Sequence, residues 1–213
     1  MSEESRQKNE QNQNSPDWDA VLAAHCTPEQ CRRLTSARIG IVGAGGLGSN
    51  CAVMLVRSGI RHLILADPDT VALSNLNRQY FFPRHLGQPK VDALAEVLRE
   101  LNPQLDLVTQ PCALDPDSAA RLFVSCDIVV EAVDDPCTKR ALVEGLLLQG
   151  HVVIAASGMA GWGGSPMTAR RMGRLIVVGD HQNEVSPKAP PLAPRVTMAA
   201  AMQADAVLCQ LLG

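Results

Sequence analysis

Apolar and polar positions divide the chain into short unbroken apolar runs separated by amphipathic stretches. "RIGIVG" (38–43), "HLILAD" (62–67), "DIVVEAV" (127–133) and "VVIAAS" (152–157) are of strand length, and their continuity is that of strands covered on both faces. Further strands are expected near 105–110 and 174–178. Between the runs lie helical patterns. "GLGSNCAVMLVRSG" (46–59) closes on Gly59, 89–101 sets Val91, Leu94, Ala95, Leu98 and Leu101 on one face, and 116–123 and 137–149 follow. Thr27-Pro28-Glu29-Gln30 supplies an N-cap, a proline at the first helical position and a capping-box glutamine, which predicts a helix to about Ala37. This alternation predicts an α/β, Rossmann-like, mainly parallel sheet with helices on both faces. The last helix, at about 196–212, is apolar on most faces, which means deep packing or a subunit interface, with packing preferred.

Composition narrows the picture to a single domain. The chain has 213 residues, 46% apolar and 19% charged, enough for one sizeable core. Residues 1–16, "MSEESRQKNEQNQNSP", hold no large apolar residue after Met1, so a disordered tail is expected before a domain at 17–213. The formal charge of -3 and the lack of a strong basic run argue against a general nucleic-acid binder. No apolar run reaches the length of a membrane span, and the N-terminus has no signal-peptide core, so a soluble, cytoplasmic protein is expected. The seven cysteines form no C-x-x-C pair, and reduced thiols are expected rather than a disulfide framework or a four-cysteine zinc site. "ASGMAGWGGSP" (156–166) and "SPKAPPLAP" (186–194) read as functional or crossover loops.

The candidate chemistry begins at "GAGGLG" (43–48), a G-x-G-x-x-G between a strand and a helix. Missing side chains there let backbone amides approach a phosphate, and the helix N-terminus favours its charge. Asp67, at the end of the next strand, is spaced to accept hydrogen bonds from ribose hydroxyls. Together these indicate an adenine nucleotide and leave NAD, FAD and ATP open. "SNLNRQYFF" (74–82) separates them. A hydride transferase must hold a nicotinamide or flavin, whereas an adenylating enzyme must neutralise a triphosphate and expel pyrophosphate. Arg78 offers a fork of donors, Asn75, Asn77 and Gln79 offer neutral ones, and Lys90 in "GQPKVDA" stands on the first turn of the next helix. Any one of these taken singly reads as a solvated surface residue. In "EAVDDPCTK" (131–139) Asp134 follows a strand end, where a carboxylate suits Mg²⁺ held with phosphates, while Asp135 reads as the helix cap.

"GAGGLGSN", "ADPDTVALSNLNRQ", "LGQPKV", "EAVDD" and "PPLAPRV" as a set resemble the ThiF/MoeB adenylyltransferases, relatives of the ubiquitin-activating enzymes, over about residues 38–212. The short chain and "AASGMAGWG" are similar to the short ThiF-type proteins of thiamine biosynthesis. The resemblance implies ATP-dependent adenylation of the C-terminal glycine of a small ubiquitin-like sulfur carrier ending in Gly-Gly, ThiS-like, with release of pyrophosphate. It places Gly43, Gly45, Gly46 and Gly48 in the phosphate loop and Asp67 on the ribose. Asp69, Asn75 and Gln79 join the nucleotide site, Arg78 and Lys90 grip the triphosphate, and Asp134 holds Mg²⁺. A homodimer is also implied.

Departures from the family pattern carry expectations of their own. No paired C-x-x-C motifs occur, so no zinc is expected, and no cysteine lies between Cys137 and Cys209, which favours adenylation without a covalent carrier link. An N-terminal "R-x-x-R-Q" segment is missing; Arg32 or Arg33 is the available substitute. Trp162 either lines the path of the carrier tail or lies half-buried in a mobile loop. Two other classes stand beside adenylation: a nicotinamide- or flavin-dependent oxidoreductase, and a non-catalytic member that binds carrier or nucleotide.

Overall fold

The computed structural model describes residues 17–213, so the expected tail at 1–16 lies outside the described residues. In chain order the elements are α1 (Trp18–Ala23), α2 (Pro28–Ser36), β1 (Arg38–Val42), α3 (Gly46–Arg57) and β2 (His62–Ala66). Next come α4 (Lys90–Leu101), β3 (Asp106–Gln110), α5 (Pro116–Leu122), β4 (Ile128–Glu131) and α6 (Pro136–Leu148). The chain ends with β5 (Val152–Ala156), β6 (Thr168–Met172), β7 (Leu175–Gly179) and α7 (Ala193–Leu212). The strands form one seven-stranded sheet in the order β3-β2-β1-β4-β5-β7-β6, and only the β6–β7 pair is antiparallel. Helices cover both faces, as the alternating pattern predicts.

Strand periodicity assigns the two layers. Ile39 and Ile41 of β1 face one core, built with α3, α4 and α7, while Val42 faces a second core with α5 and α6. Gly40 lies against Phe123, whose Cδ1 is only 2.4 Å from where a Gly40 β-carbon would stand, so the glycine makes room for the ring. Phe123 is fully buried, a contribution of roughly 3 kcal/mol for a side chain of that size.

The capping box forms: Gln30 N donates to Thr27 Oγ1 (3.3 Å) and Thr27 N to Gln30 Oε1 (2.9 Å). Two elements are additions to the expected set. α1 is a six-residue helix started by Asp17, too short for a periodic signal, and is moored by Leu22 and by Trp18 Nε1 donating to Leu101 O (2.9 Å). All five residues of β6 are exposed, so no apolar alternation marks it, and its pairing with β7 defines it. The final helix starts at Ala193 rather than 196, which takes in the last part of the segment read as a loop to 194. It buries Val196, Ala199, Ala200, Ala204 and Val207 and packs along α3. These buried residues fit the preferred reading of its apolar faces, deep packing.

From β1 the chain winds outward to β2 and β3, and from β4 it winds the other way. The crevice outside the carboxyl ends of β1 and β4 is therefore the topological switch point, where such sheets hold ligands.

Candidate functional site

The glycine loop occupies that crevice. Gly43 has φ +97°, and a β-carbon there would lie 2.5 Å from Ala132 O at the end of β4. At Gly48 it would lie 1.8 Å from Gly43 O, so α3 can leave the loop at this angle only without a side chain. Gly45 differs: a β-carbon would meet only Gln79 Nε2, at 3.7 Å. The side facing Gln79 is open, and Gly45 gives α3 no side-chain cap, so its first amides are available to an anion. Such a cradle fits a nucleotide phosphate.

Two residues of α3 tie "SNLNRQY" to this loop, and neither role is apparent in the linear motif. Asn50 Nδ2 donates to Gly46 O (2.7 Å) and Arg78 O (2.9 Å), while Ser49 Oγ donates to Gly45 O (2.6 Å) and accepts from Tyr80 N (3.0 Å). The usable signal is a polar pair inside an apolar helix, directly after the loop's last glycine. Arg78 is half-buried with its stem near Gly46, and its Nη1 donates to Ser74 O (2.9 Å) and Asn77 Oδ1 (2.8 Å). Gln79 is buried, and its Oε1 has no hydrogen-bond partner. Asn75 Oδ1 accepts from Ala72 N (3.0 Å), closing the turn at Leu73–Asn75 and leaving the amide nitrogen as its donor.

Asp67, at the end of β2, is buried. Its Oδ2 accepts from Ala44 N (2.6 Å) and its Oδ1 from Asp69 N (2.9 Å). Burial pushes this carboxyl above its ordinary range, against the pull of those two amides and of Lys90. Lys90 is only 6% exposed, which removes the surface reading of that residue. Its Nζ lies 2.6 Å from Asp69 Oδ2 and 4.0 Å from Asp67 Oδ1, and its backbone N donates to Asp69 O (2.8 Å). The ammonium is thus held at the loop by carboxylates, one of which is exposed enough to yield it to a stronger anion.

β4 brings in the remaining residues. Glu131, fully buried, accepts from Val133 N (2.7 Å) and from Lys139 Nζ (2.6 Å), which fixes the turn below Asp134. Burial raises this carboxyl as well, against Lys139. Asp134 is exposed, and among the described residues its side chain makes no hydrogen bond; Asp135 caps α6 through Thr138 N (2.7 Å). One carboxylate at this edge suits Mg²⁺, which binds through one or two carboxylates with substrate phosphates. Among the described residues no cluster of three or more His, Cys, Asp or Glu could hold a metal by itself.

Arg32 and Arg33 stand apart from this set. Both pair with Glu29, and Arg33 Nη1 donates to Leu211 O (3.2 Å) at the far end of α7, whose first turn is the part that meets Gly46. About fifteen residues of helix, roughly 22 Å, separate the two ends, so neither arginine reaches this chain's own loop. Trp162 is 70% exposed, neither enclosed nor half-buried. A buried pair absent from the sequence reading, Asp180 with Arg195, lies beyond the ends of β5 and β7. No described helix is long and apolar enough to cross a membrane.

The profile of the ThiF family matches residues 19–213. A curated relative, the adenylyltransferase and sulfurtransferase uba4 of Aspergillus clavatus, is 38% identical over 157 residues, covering 73% of this chain and 30% of that protein. The protein of the same name from Candida glabrata is 36% identical over 128 residues, covering 60% of this chain and 30% of its own length. The chain therefore spans about 30% of the length of these relatives. Among solved structures, E. coli tRNA N6-threonylcarbamoyladenosine dehydratase, TcdA, in complex with AMP superposes with a TM-score of 0.82 at 20% identity, over 91% of this chain and 93% of that one. E. coli MccB with ATP gives a TM-score of 0.64 at 22% identity, over 84% and 57%. At those identities the superpositions establish the fold alone.

Proposed function

We propose that this chain, which belongs to the ThiF family, adenylates the C-terminal glycine carboxylate of a small ubiquitin-like sulfur-carrier protein at the expense of ATP. The observation that carries the reading is the convergence of an uncapped glycine loop with buried Lys90 and with Arg78, fastened to that loop through Asn50. A buried cation at the phosphate end suits the extra negative charge of a triphosphate, which neither a flavin ring nor a nicotinamide, cationic when oxidised, would offer.

In the reaction a carboxylate oxygen of the terminal glycine bonds to the α-phosphorus as the bond to the pyrophosphate oxygen breaks. The products are an acyl-adenylate and pyrophosphate, and no proton needs to be removed. The protein's work is then orientation and charge stabilisation. Amides of the glycine loop hold phosphate oxygens, and Asp67 accepts from the ribose hydroxyls. Lys90 exchanges Asp69 for the phosphates. Arg78 and Gln79 hold the oxygens that gain charge as pyrophosphate leaves, with Asn75 as a further donor. Mg²⁺, when bound with the phosphates at Asp134, would neutralise their charge.

The finer reading is a ThiS-like carrier and thiamine synthesis, supported by the resemblance of "AASGMAGWG" to ThiF-type proteins. The curated relatives' name, joining adenylyltransferase to sulfurtransferase, supports a sulfur carrier in the coarser sense. A homodimer belongs to the same reading, and sedimentation tests it. The deciding experiment is ATP–pyrophosphate exchange with Mg²⁺, with and without purified carriers ending in Gly-Gly, a ThiS-type carrier among them. Carrier-dependent exchange, abolished in Arg78→Ala while the fold persists, is the expected result. ATP binding with no exchange for any carrier would replace this reading with the non-catalytic one.

A further inference from the structure

The first turn of α7 touches two loops at once. Val196 Cγ1 lies 2.8 Å from where a Gly46 β-carbon would stand, so this turn is packed on the phosphate loop. One residue earlier, Arg195 is buried, and its guanidinium donates to Gly163 O, to the Asp180 carboxylate and, at 3.4 Å, to Ser165 O. Asp180 is engaged on its other oxygen too, accepting from Gln182 N and Asn183 N, each at 2.9 Å. The crossover loop between β5 and β6 (157–167) is also stitched to "SNLNRQ" through the proline run: Gly161 N donates to Pro190 O (2.9 Å) and Asn77 Nδ2 to Pro191 O (3.3 Å).

A buried ion pair is a poor device for stability alone, because apolar residues of similar volume serve as well or better. It does fix geometry, and at Gly163 and Gly164 the segment has no side chain of its own to anchor it. Gly163, at φ +58°, has nothing within 4 Å of its β-carbon position, and the atoms nearest that of Gly164, at φ +76°, belong to Asn183 and Arg195. The outer face at Gly163 is therefore bare backbone, exposed, and its carbonyl is held by Arg195, the residue before the Val196 that packs on Gly46. Two consecutive positions without side chains, Gly163 and Gly164, suit a ligand that has none, such as a chain end of two glycines, which can pair only through its own amides and carbonyls.

We propose that Arg195 is a positioning residue: through Asp180 and the carbonyls of Gly163 and Ser165 it holds the crossover loop as one wall of the path along which the carrier's Gly-Gly tail reaches the nucleotide. The inference rests on the adenylation reading. It assigns Arg195 to the tail, and neither to ATP nor to the body of the carrier.

The test uses the full chain, a ThiS-type carrier ending in Gly-Gly and the same carrier lacking its last two residues. Arg195→Met should raise the carrier KM in pyrophosphate exchange by about 10- to 100-fold, the range for a misplaced reactant. ATP affinity by calorimetry and affinity for the truncated carrier should both stay within about twofold, a margin smaller than the tenfold step worth 1.4 kcal/mol. Arg195→Lys, which keeps the charge on Asp180 but loses the fork, should fall between the two. Gly163→Asn covers the case in which Arg195→Met does not fold, since asparagine tolerates left-handed φ and the site is open. It should raise the carrier KM by obstructing the wall, again with ATP affinity unchanged. Unchanged carrier kinetics in Gly163→Asn, or ATP affinity falling in step with carrier affinity in folded Arg195→Met, would overturn the assignment while the adenylation reading stands. Absence of carrier-dependent exchange in the wild type would remove both.

Discussion

A methyl group on Gly48 would stand 1.8 Å from the carbonyl oxygen of Gly43, whereas one on Gly45 would have only the amide nitrogen of Gln79 nearby, at 3.7 Å. The two glycines are equivalent members of one motif, yet their substitutions should behave oppositely. Gly48→Ala should cost about 3 kcal/mol or more, because backbone rather than a flexible side chain must move. Gly45→Ala should change stability by less than about 1 kcal/mol and weaken ATP binding, because the methyl enters the space of the phosphate. Urea midpoints at unchanged m, together with calorimetric titration of ATP, separate the two. Lys90 carries the same lesson. Its residue type and place on a helix start are plain in the chain, but a lysine there ordinarily faces water. Only the packing of α4 buries it, at 6% exposure, with Asp69 2.6 Å away. Ser49 and Asn50 went unread because their partners, the carbonyls of Gly45, Gly46 and Arg78 and the amide of Tyr80, are defined by a turn of helix and a returning loop.

Caps and strand ends are where elements and chemistry meet. Asp134 and Asp135 are adjacent acids at the start of α6, and the hydrogen bond from Thr138 N divides their duties by going to Asp135. Asp135→Ala should cost about 1 kcal/mol in stability, as loss of an N-cap does, and leave pyrophosphate exchange unchanged. Asp134→Ala should leave stability within about 0.5 kcal/mol, since that side chain is exposed, and should remove the response of exchange to Mg²⁺. Thermal scans and a Mg²⁺ titration of both variants test the division, and the reverse pattern would reassign the metal carboxylate. Elements with strong local signals were legible: the buried strands as apolar runs, α2 from its capping box. α1 and β6 were not. α1 has too few residues for a period, and β6 is a strand because β7 offers its edge, with no apolar face of its own to announce it.

Across the molecule, α7 joins what the chain order separates. Gln203 Nε2 donates to Glu131 O (2.8 Å) and Ile154 O (3.3 Å), at β4 and β5, while Arg195 reaches Asp180 beyond β7. Burial alone would raise the Asp180 carboxyl. Hydrogen bonds from Asn183 and Gln182 and from Arg195 outweigh it and hold the group at about 2, against an ordinary 3.8. The folded value is depressed, so its stabilisation is complete above about pH 4 and is lost as pH falls through about 2. The wild type should therefore lose about 2 kcal/mol across that window that Asp180→Asn does not lose, measured from urea midpoints at successive pH values. By itself the sequence determined the alternation of strands and helices, the glycine loop with an acid at the next strand end, and the set of motifs that marks the family. Those signals are local or lie in chain order, and periodicity, caps and short motifs are written there. Tertiary structure alone decided which glycine is sterically obligatory, that Lys90 is buried, and that Arg195 and Asp180 pair. Each of these depends on the distance between residues far apart in the chain, and that distance is set by packing at the switch point of the sheet.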